Sequence, residues 1–326
     1  MDATESGERT NVNRRAALVL PGRAVLGVTG PDRISLLNGL LTADLRRLTP
    51  DRALYGLLLT AQGRFQHDFF LIEHNDSLLI ETTATRAESL VRTLLRYRLR
   101  AKVAFEDLSD RFTVMALTGA DAATVPDLPT DPGAARPYLG GAAFVDPRLA
   151  GLGVRVIIPT NDGLAALAPP QPSPASPACE EGKNTPSLTA LETLRLIMGI
   201  PDGEADLIAD KSSPLEFNLD HLNAIAFDKG CYLGQEATAR GHFRSQVRKR
   251  LLPATITGPL PPSGTVVLCD GREAGEVRSG LDGIVLALLR LEEVERAQAK
   301  GLNLTAAETR LKPYWPSWLD AARLRN

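Results

Sequence analysis

One stretch of the sequence carries more chemistry than the rest: Asp228-Lys229-Gly230-Cys231-Tyr232-Leu233-Gly234-Gln235-Glu236-Ala237-Thr238-Ala239-Arg240. A cysteine thiolate is a nucleophile and a soft metal donor, and a nearby cation favours it over the thiol. Lys229 supplies such a cation close to Cys231. A helix opening at Gly234 would add main-chain amides and a dipole of the same sign. Gly230 and Gly234 let the backbone turn tightly and approach a ligand closely. Glu236 and Arg240 pair along one helix face. The competing reading is an inert cysteine packed in a turn like a small apolar side chain. On the residues alone both stay open.

Downstream, Arg240, Arg244, Arg248, Lys249 and Arg250 join Lys229 against Glu236 alone. A polycarboxylate tail, a phosphate or RNA would suit that charge, and so would a solvated loop leading into a last domain. Asp68 is the second candidate, a carboxylate on an expected strand among Phe65, Phe69 and Phe70. There it needs a partner or a task in acid–base chemistry. Alternation puts His67 and Phe69 on one face and Asp68 and Phe70 on the other. His67, His74, His221 and His242 show no metal-ligand spacing, so no zinc or non-haem iron site is expected. The sequence lacks GxGxxG, GxxxxGK[ST] and GxSxG, which removes the standard nucleotide loops and the serine-hydrolase elbow.

These residues sit in a chain of 326, long enough for two or three domains, with 44% apolar and 23% charged residues. That balance excludes wholesale disorder and collagen. The 37 lysines and arginines against 39 acids leave a formal charge of -2, with no overall pull toward nucleic acid or anionic lipid. No apolar run approaches the roughly 20 residues needed to cross a bilayer. The start, MDATESGERTNVNRR, does not read as a secretory signal. Cys179, Cys231 and Cys269 are odd in number and far apart, so no disulfide framework is expected and the cytoplasm is the default location.

The positioning elements follow from periodicity. Short strands are expected at 16–20 and 24–28, then a helix from Asp32 with Ile34, Leu37, Leu41 and Leu45 on one stripe. Strands at 54–60, 65–72 and 77–82, joined by short turns, read as an antiparallel meander. The clearest helix is 85–100, with Leu90, Val91, Leu94 and Leu95 inside. Strands are expected at 102–105, 113–117 and 154–158. The Pro/Ser/Ala-rich stretch 169–186 reads as a flexible insertion and 188–198 as a helix. Four strands between 251 and 289 suit a small barrel.

The run KGCYLGQEATAR resembles the signature of the YgfZ family of folate-binding proteins that assist iron–sulfur cluster assembly. VTGPDRISLLNGLLTADL, LLLTAQGRFQHDFFL, SSPLEFNLDHLNAIAFDKGCYLGQE and REAGEVRSG extend the likeness over nearly the whole chain. The wider superfamily includes the glycine-cleavage T-protein, an aminomethyltransferase that uses tetrahydrofolate. T-proteins typically carry Arg-Leu-Glu-Ala-Gly where this chain has Arg195-Leu196-Ile197-Met198-Gly199. Ile197 cannot accept the pterin's N–H donors, and T-proteins lack the cysteine signature, so the resemblance favours the YgfZ branch.

The resemblance implies an α+β fold, a T-protein-like ring of α+β modules with a small C-terminal β-barrel. Residues 12–245 would form the folate-binding region and 246–326 the barrel. It implies tetrahydrofolate, with or without a polyglutamate tail, as the cofactor. The cofactor would be held by Arg195, Tyr232, Gln235, Glu236 and Arg240. Cys231, Lys229 and Asp68 would be the reactive group, with no resident metal. Expected partners are the iron–sulfur assembly machinery or its client enzymes, in the cytoplasm or, in a eukaryote, the mitochondrial matrix. A folate-dependent aminomethyl or methyl transferase and an RNA-modification-associated protein are the rival readings. Whether a reaction is catalysed stays open.

Overall fold

The computed structural model describes residues 17–118, 125–160, 187–244 and 247–319. The expected insertion at 169–186, with Cys179, lies outside them, as does the 245–246 boundary.

The chain begins with Leu18–Val19 (β1), Arg23–Thr29 (β2) and the helix Arg33–Asn38 (α1). Leu54–Leu59 (β3), Phe65–His74 (β4) and Ser77–Thr83 (β5) follow as the expected meander, then the helix Ala84–Arg98 (α2) and Ala104–Asp107 (β6). These make an antiparallel sheet in the order β3-β4-β5-β2-β6. Phe112–Leu117 (β7), Ala135–Tyr138 (β8), Gly141–Val145 (β9) and Val154–Pro159 (β10) build a second sheet, ordered β1-β7-β10-β9-β8. The helices Leu188–Ile197 (α3) and Gln235–Phe243 (α4) lead into the last unit. There Lys249–Thr257 (β11), Val266–Cys269 (β12), Arg272–Leu281 (β13), Ile284–Arg290 (β14), Leu304–Ala306 (β15) and Thr309–Pro313 (β16) close a barrel, with the helix Leu291–Lys300 (α5) inserted before β15. Its largest core cluster mixes Tyr55 and Phe70 of the first sheet, Phe144 and Ile157 of the second, and Leu251 and Leu286 of the barrel. The three units therefore meet in this shared cluster, beside the separate cores each unit keeps for itself.

Several sequence expectations change. The helix after Asp32 ends at Asn38 instead of carrying its stripe to Leu45. Beyond it, Leu41 bridges to Leu58, and the Thr42 Oγ1 accepts the Leu57 N–H at 2.8 Å and donates to the Ala224 carbonyl at 2.6 Å. That segment is recruited to the sheet edge, so it cannot keep helical bonds. In α2, Ala87, Leu90 and Leu94 are buried while Leu95 is 43% exposed, because one step along a helix rotates a side chain about 100°. The hairpin β8–β9 was not expected; its turn runs through Leu139 and Gly140, both at positive φ, and its strands are rich in Ala, Pro and Gly, poor strand signals. The elements α5, β15 and β16 were likewise not expected.

Candidate functional site

The interior polar cluster starts from β4. Asp68 is buried, and its Oδ2 accepts the Tyr55 hydroxyl at 2.9 Å from β3. Alternation had set Asp68 and Phe70 on one face, and Tyr55 meets both, its ring 5.0 Å from that of Phe70. Gly203 closes the other side: a Cβ there would fall 2.0 Å from the Asp68 Oδ1. Burial, then the negative charge of Asp202, push the Asp68 carboxyl above its ordinary range. It therefore holds a proton more tightly than an exposed carboxylate does.

Around it the two sheets are joined by an arginine–carboxylate ladder. The Glu81 Oε1 accepts Arg23 Nε and Arg155 Nη1, each at 2.7 Å. Asp146 receives Arg148 at 3.0 and 2.8 Å and Arg155 at 3.3 Å. The Arg155 guanidinium lies 4.1 Å from the Phe70 ring centre and that of Arg148 5.1 Å. Planar cations on an aromatic face and paired with acids offset their desolvation better than an ammonium would.

Two cavities flank this cluster. One, about 490 Å³, is lined by Ala43, Arg47, Arg52, Tyr55, Asn223 and Ile225 among others. The second, about 330 Å³, is bounded by Arg23, Arg148, Arg155, Arg195, Glu192 and Asp202 among others. Tyr55 faces the first cavity and Asp202 the second, so the Asp68 carboxyl lies between them.

The cysteine motif is tied to the lining of the first cavity at two points, Asp228 pairing with Arg47 and Lys229 binding the Ala43 carbonyl. The Lys229 Nζ donates to the carbonyls of Asn38, Leu41 and Ala43 at 2.8, 2.8 and 2.6 Å. All of its ammonium protons close the bent segment after α1. Burial pulls Lys229 down to about 8, although Asp44 opposes this. Its ammonium also lies 5.4 Å from the Tyr232 ring centre. Cys231 itself is exposed. Tyr232 is buried, its hydroxyl has no hydrogen-bond partner among the described residues, and burial pushes it up to about 12. Gly234, at φ +82°, caps α4, which opens at Gln235 as the spacing suggested. Gly230 needs no such freedom, since a Cβ there would meet nothing within 4 Å.

The expected ligand residues do not converge. Glu236 and Arg240 form an exposed pair on α4 and line neither of these cavities. Arg195 lines the second cavity, where it binds Glu192 at 2.9 Å, Asp206 at 2.7 Å and the barrel's Ser279 at 3.1 Å. Sequence reading missed Arg23, Tyr55, Glu81, Asp146, Arg148, Arg155 and Asp202. Arg23, Glu81 and Arg155 carried one signal, charge inside apolar strands, whereas Tyr55 is uncharged and Asp146, Arg148 and Asp202 lie outside the strands.

The glycine-cleavage aminomethyltransferase T of Bartonella henselae shares this fold, with a TM-score of 0.69 over 94% of this chain and 87% of that one, at 16% identity. A model of the GCVT N-terminal domain matches residues 23–132, and one of the CAF17 C-terminal β-barrel domain matches 248–321. The human mitochondrial iron–sulfur cluster assembly factor IBA57 is 34% identical over 93% of this chain and 86% of its own length. The chain belongs to the IBA57 family. Its mouse member is 33% identical over 91% of this chain and 85% of that protein, and that of Pyricularia oryzae 31% over 89% and 75%. The YgfZ resemblance is thus refined to IBA57, a family whose named members here are mitochondrial.

Proposed function

We propose that this chain is an accessory factor for assembling or repairing iron–sulfur clusters, that Cys231 is the thiol it presents, and that it binds a reduced folate of the tetrahydrofolate class. The cluster is its cargo. The observation that carries the reading is the setting of Cys231: an exposed thiol between two fixed points, Lys229 on three carbonyls and Gly234 against the Thr60 turn. A soft donor held on a stiff loop suits transient contact with iron. A prokaryotic cytoplasm or a mitochondrial matrix is the matching location.

The first cavity fits the folate class. Tyr55, Ala43 and Ile225 give apolar lining, Asn223 and Asp44 offer polar groups, and Arg47 and Arg52 bring positive charge. Among the described residues Arg52 has no ion pair, so we assign the glutamate tail to it and Arg47 rather than to Arg240 and Arg244. Reduced folate, when bound, supplies a carrier for one-carbon units. The chain's own contribution is to shape this lining, with the Tyr55 hydroxyl oriented by its bond to Asp68.

In cells lacking the protein, Cys231→Ser and Cys231→Ala should both fail to restore iron–sulfur enzyme activity while folding normally. Full rescue by Cys231→Ala would overturn the cysteine's role. Calorimetric titration with tetrahydrofolate should show binding that weakens in Arg52→Ala, more so for the polyglutamylated form. No heat at millimolar ligand would remove folate from the proposal. A folate-dependent transferase is a second reading, favoured by the buried Asp68–Tyr55 pair, and release of a one-carbon product would support it.

A further inference from the structure

Helix α2 runs out into six exposed residues, Leu95-Arg96-Tyr97-Arg98-Leu99-Arg100, in which apolar and cationic side chains alternate. Its inner face, Ala87, Leu90 and Leu94, is buried in the core of the first sheet, so these six are what the fold leaves outside. Leu99 is the outlier. It is 87% exposed and stands at φ +47°, a backbone position where glycine usually ends a helix. A bulky aliphatic residue there bears backbone strain and exposes apolar surface at once. The turn that holds it is fixed. The Ala101 N–H donates to the Arg98 carbonyl at 2.8 Å, and the Asp32 Oδ2 accepts the Lys102 N–H at 2.7 Å. A Cβ on Gly30 would fall 2.1 Å from the Lys102 carbonyl oxygen, so the neighbouring turn presses on it too.

The charge around Leu99 is uncompensated. From Ser89 to Phe105 the chain carries Arg92, Arg96, Arg98, Arg100 and Lys102 and no acid. Glu88 takes Arg92, and the Arg98 guanidinium reaches the Val103 carbonyl. Among the described residues Arg96, Arg100 and Lys102 have no ion pair. The acids next along the chain are engaged elsewhere, Glu106 with Arg111 and Asp107 with the Ser109 N–H. Cations in a last turn complement the helix dipole, which accounts for Arg96 and Arg98. It does not account for Arg100 and Lys102 beyond the helix, nor for the leucines set among them.

Aliphatic tips among long cations match a lipid interface, where leucine enters the headgroup layer and arginine reaches back to phosphate. A fluid surface needs no hollow shaped to Leu99. A nucleic-acid strand would favour a run of stacking rings, and these six residues offer Tyr97 alone. A second copy of the chain would bring the same cations and be repelled.

We propose that the C-terminal end of α2 is a peripheral docking site for an anionic phospholipid bilayer. Leu95 and Leu99, a turn apart, enter the headgroup layer, and Arg96, Arg100 and Lys102 face the lipid phosphates. The contact is one of surface, since among the described residues no helix is long and apolar enough to cross a membrane. It stands independently of the folate and cluster proposals.

The test is flotation of the full chain with vesicles of phosphatidylcholine, alone or with about one-third phosphatidylglycerol. The expected result is binding to the anionic vesicles, little to the neutral ones, and release as salt rises. Arg96→Glu with Arg100→Glu should weaken binding by more than roughly tenfold. Arg272→Glu with Arg310→Glu makes the same charge change at exposed positions of the barrel and should alter binding by less than about twofold. Leu99→Gly should weaken it roughly fivefold with the melting temperature nearly unchanged, because glycine accepts positive φ. No flotation with the anionic vesicles, or equal binding to the neutral ones, overturns the proposal. So does an equal loss in the barrel variant, or a large fall in melting temperature for Leu99→Gly, which would give that residue to the fold. Retention of single-stranded RNA through Arg96 and Arg100, with the vesicles ignored, would assign the face to nucleic acid instead.

Discussion

Gly63 and Gly234 lie back to back: a Cβ on Gly234 would fall 3.1 Å from the Gly63 Cα and 2.4 Å from the Thr60 carbonyl oxygen. Two turns 171 positions apart in sequence, one from the β3–β4 hairpin and one from the cysteine motif, therefore touch through bare backbone. Gly234→Ala is expected to destabilise by about 2–4 kcal/mol, from positive φ and overpacking together. Gly230→Ala should change stability by less than about 1 kcal/mol. Chemical denaturation of the two variants checks the pair, and equal effects would contradict the geometry.

Lys229→Met should cost about 2–4 kcal/mol, because three carbonyls lose a charge-assisted donor in a place closed to water. Hydrogen exchange should rise in residues 38–44. Unaltered exchange there would show that the lysine does not hold that segment.

His67 gives a pH signature. It is buried, its Nδ1 has no partner among the described residues, and burial, aided by Arg86, lowers it to about 4. The unfolded chain takes up this proton near pH 6.5 and the folded chain only near 4, so folding stability falls as pH drops through that window. The loss is up to about 3 kcal/mol. His67→Phe should show a correspondingly flatter stability profile between pH 6.5 and 4. Parallel curves for the two proteins would refute it.

Asp68 has the opposite sign. Its folded pKa is raised by burial and by Asp202, so the folded chain holds the proton at a pH where the unfolded chain has released it. Its contribution is present below the ordinary carboxylate value and is lost as pH rises through the folded one. Asp68→Asn should therefore gain on the wild type with rising pH from about 4 upward. A constant difference across that range would mean the carboxyl titrates normally. Infrared spectra would show the same shift directly, as a protonated carboxyl band missing in Asp68→Asn.

Features that depend on near neighbours are legible in the order of the residues alone. The meander β3–β5, the helix opening at Gln235 and most of the barrel's strands follow from apolar period and turn residues, and the cysteine motif is a continuous run. What those pieces meet emerges only when the whole chain has packed. Lys229 reads as a cation beside a thiol, yet its ammonium is bound to carbonyls 186 to 191 residues away. Arg23, Glu81 and Arg155 come from three strands in two sheets, and no spacing links them. Arg240 has the same charge as Arg148, but one lies on an open helix face and the other between two sheets. Periodicity tells which side of an element is apolar. Which other surface covers that side is set by packing over the whole chain, and a buried charge becomes tolerable only once its distant partner has arrived.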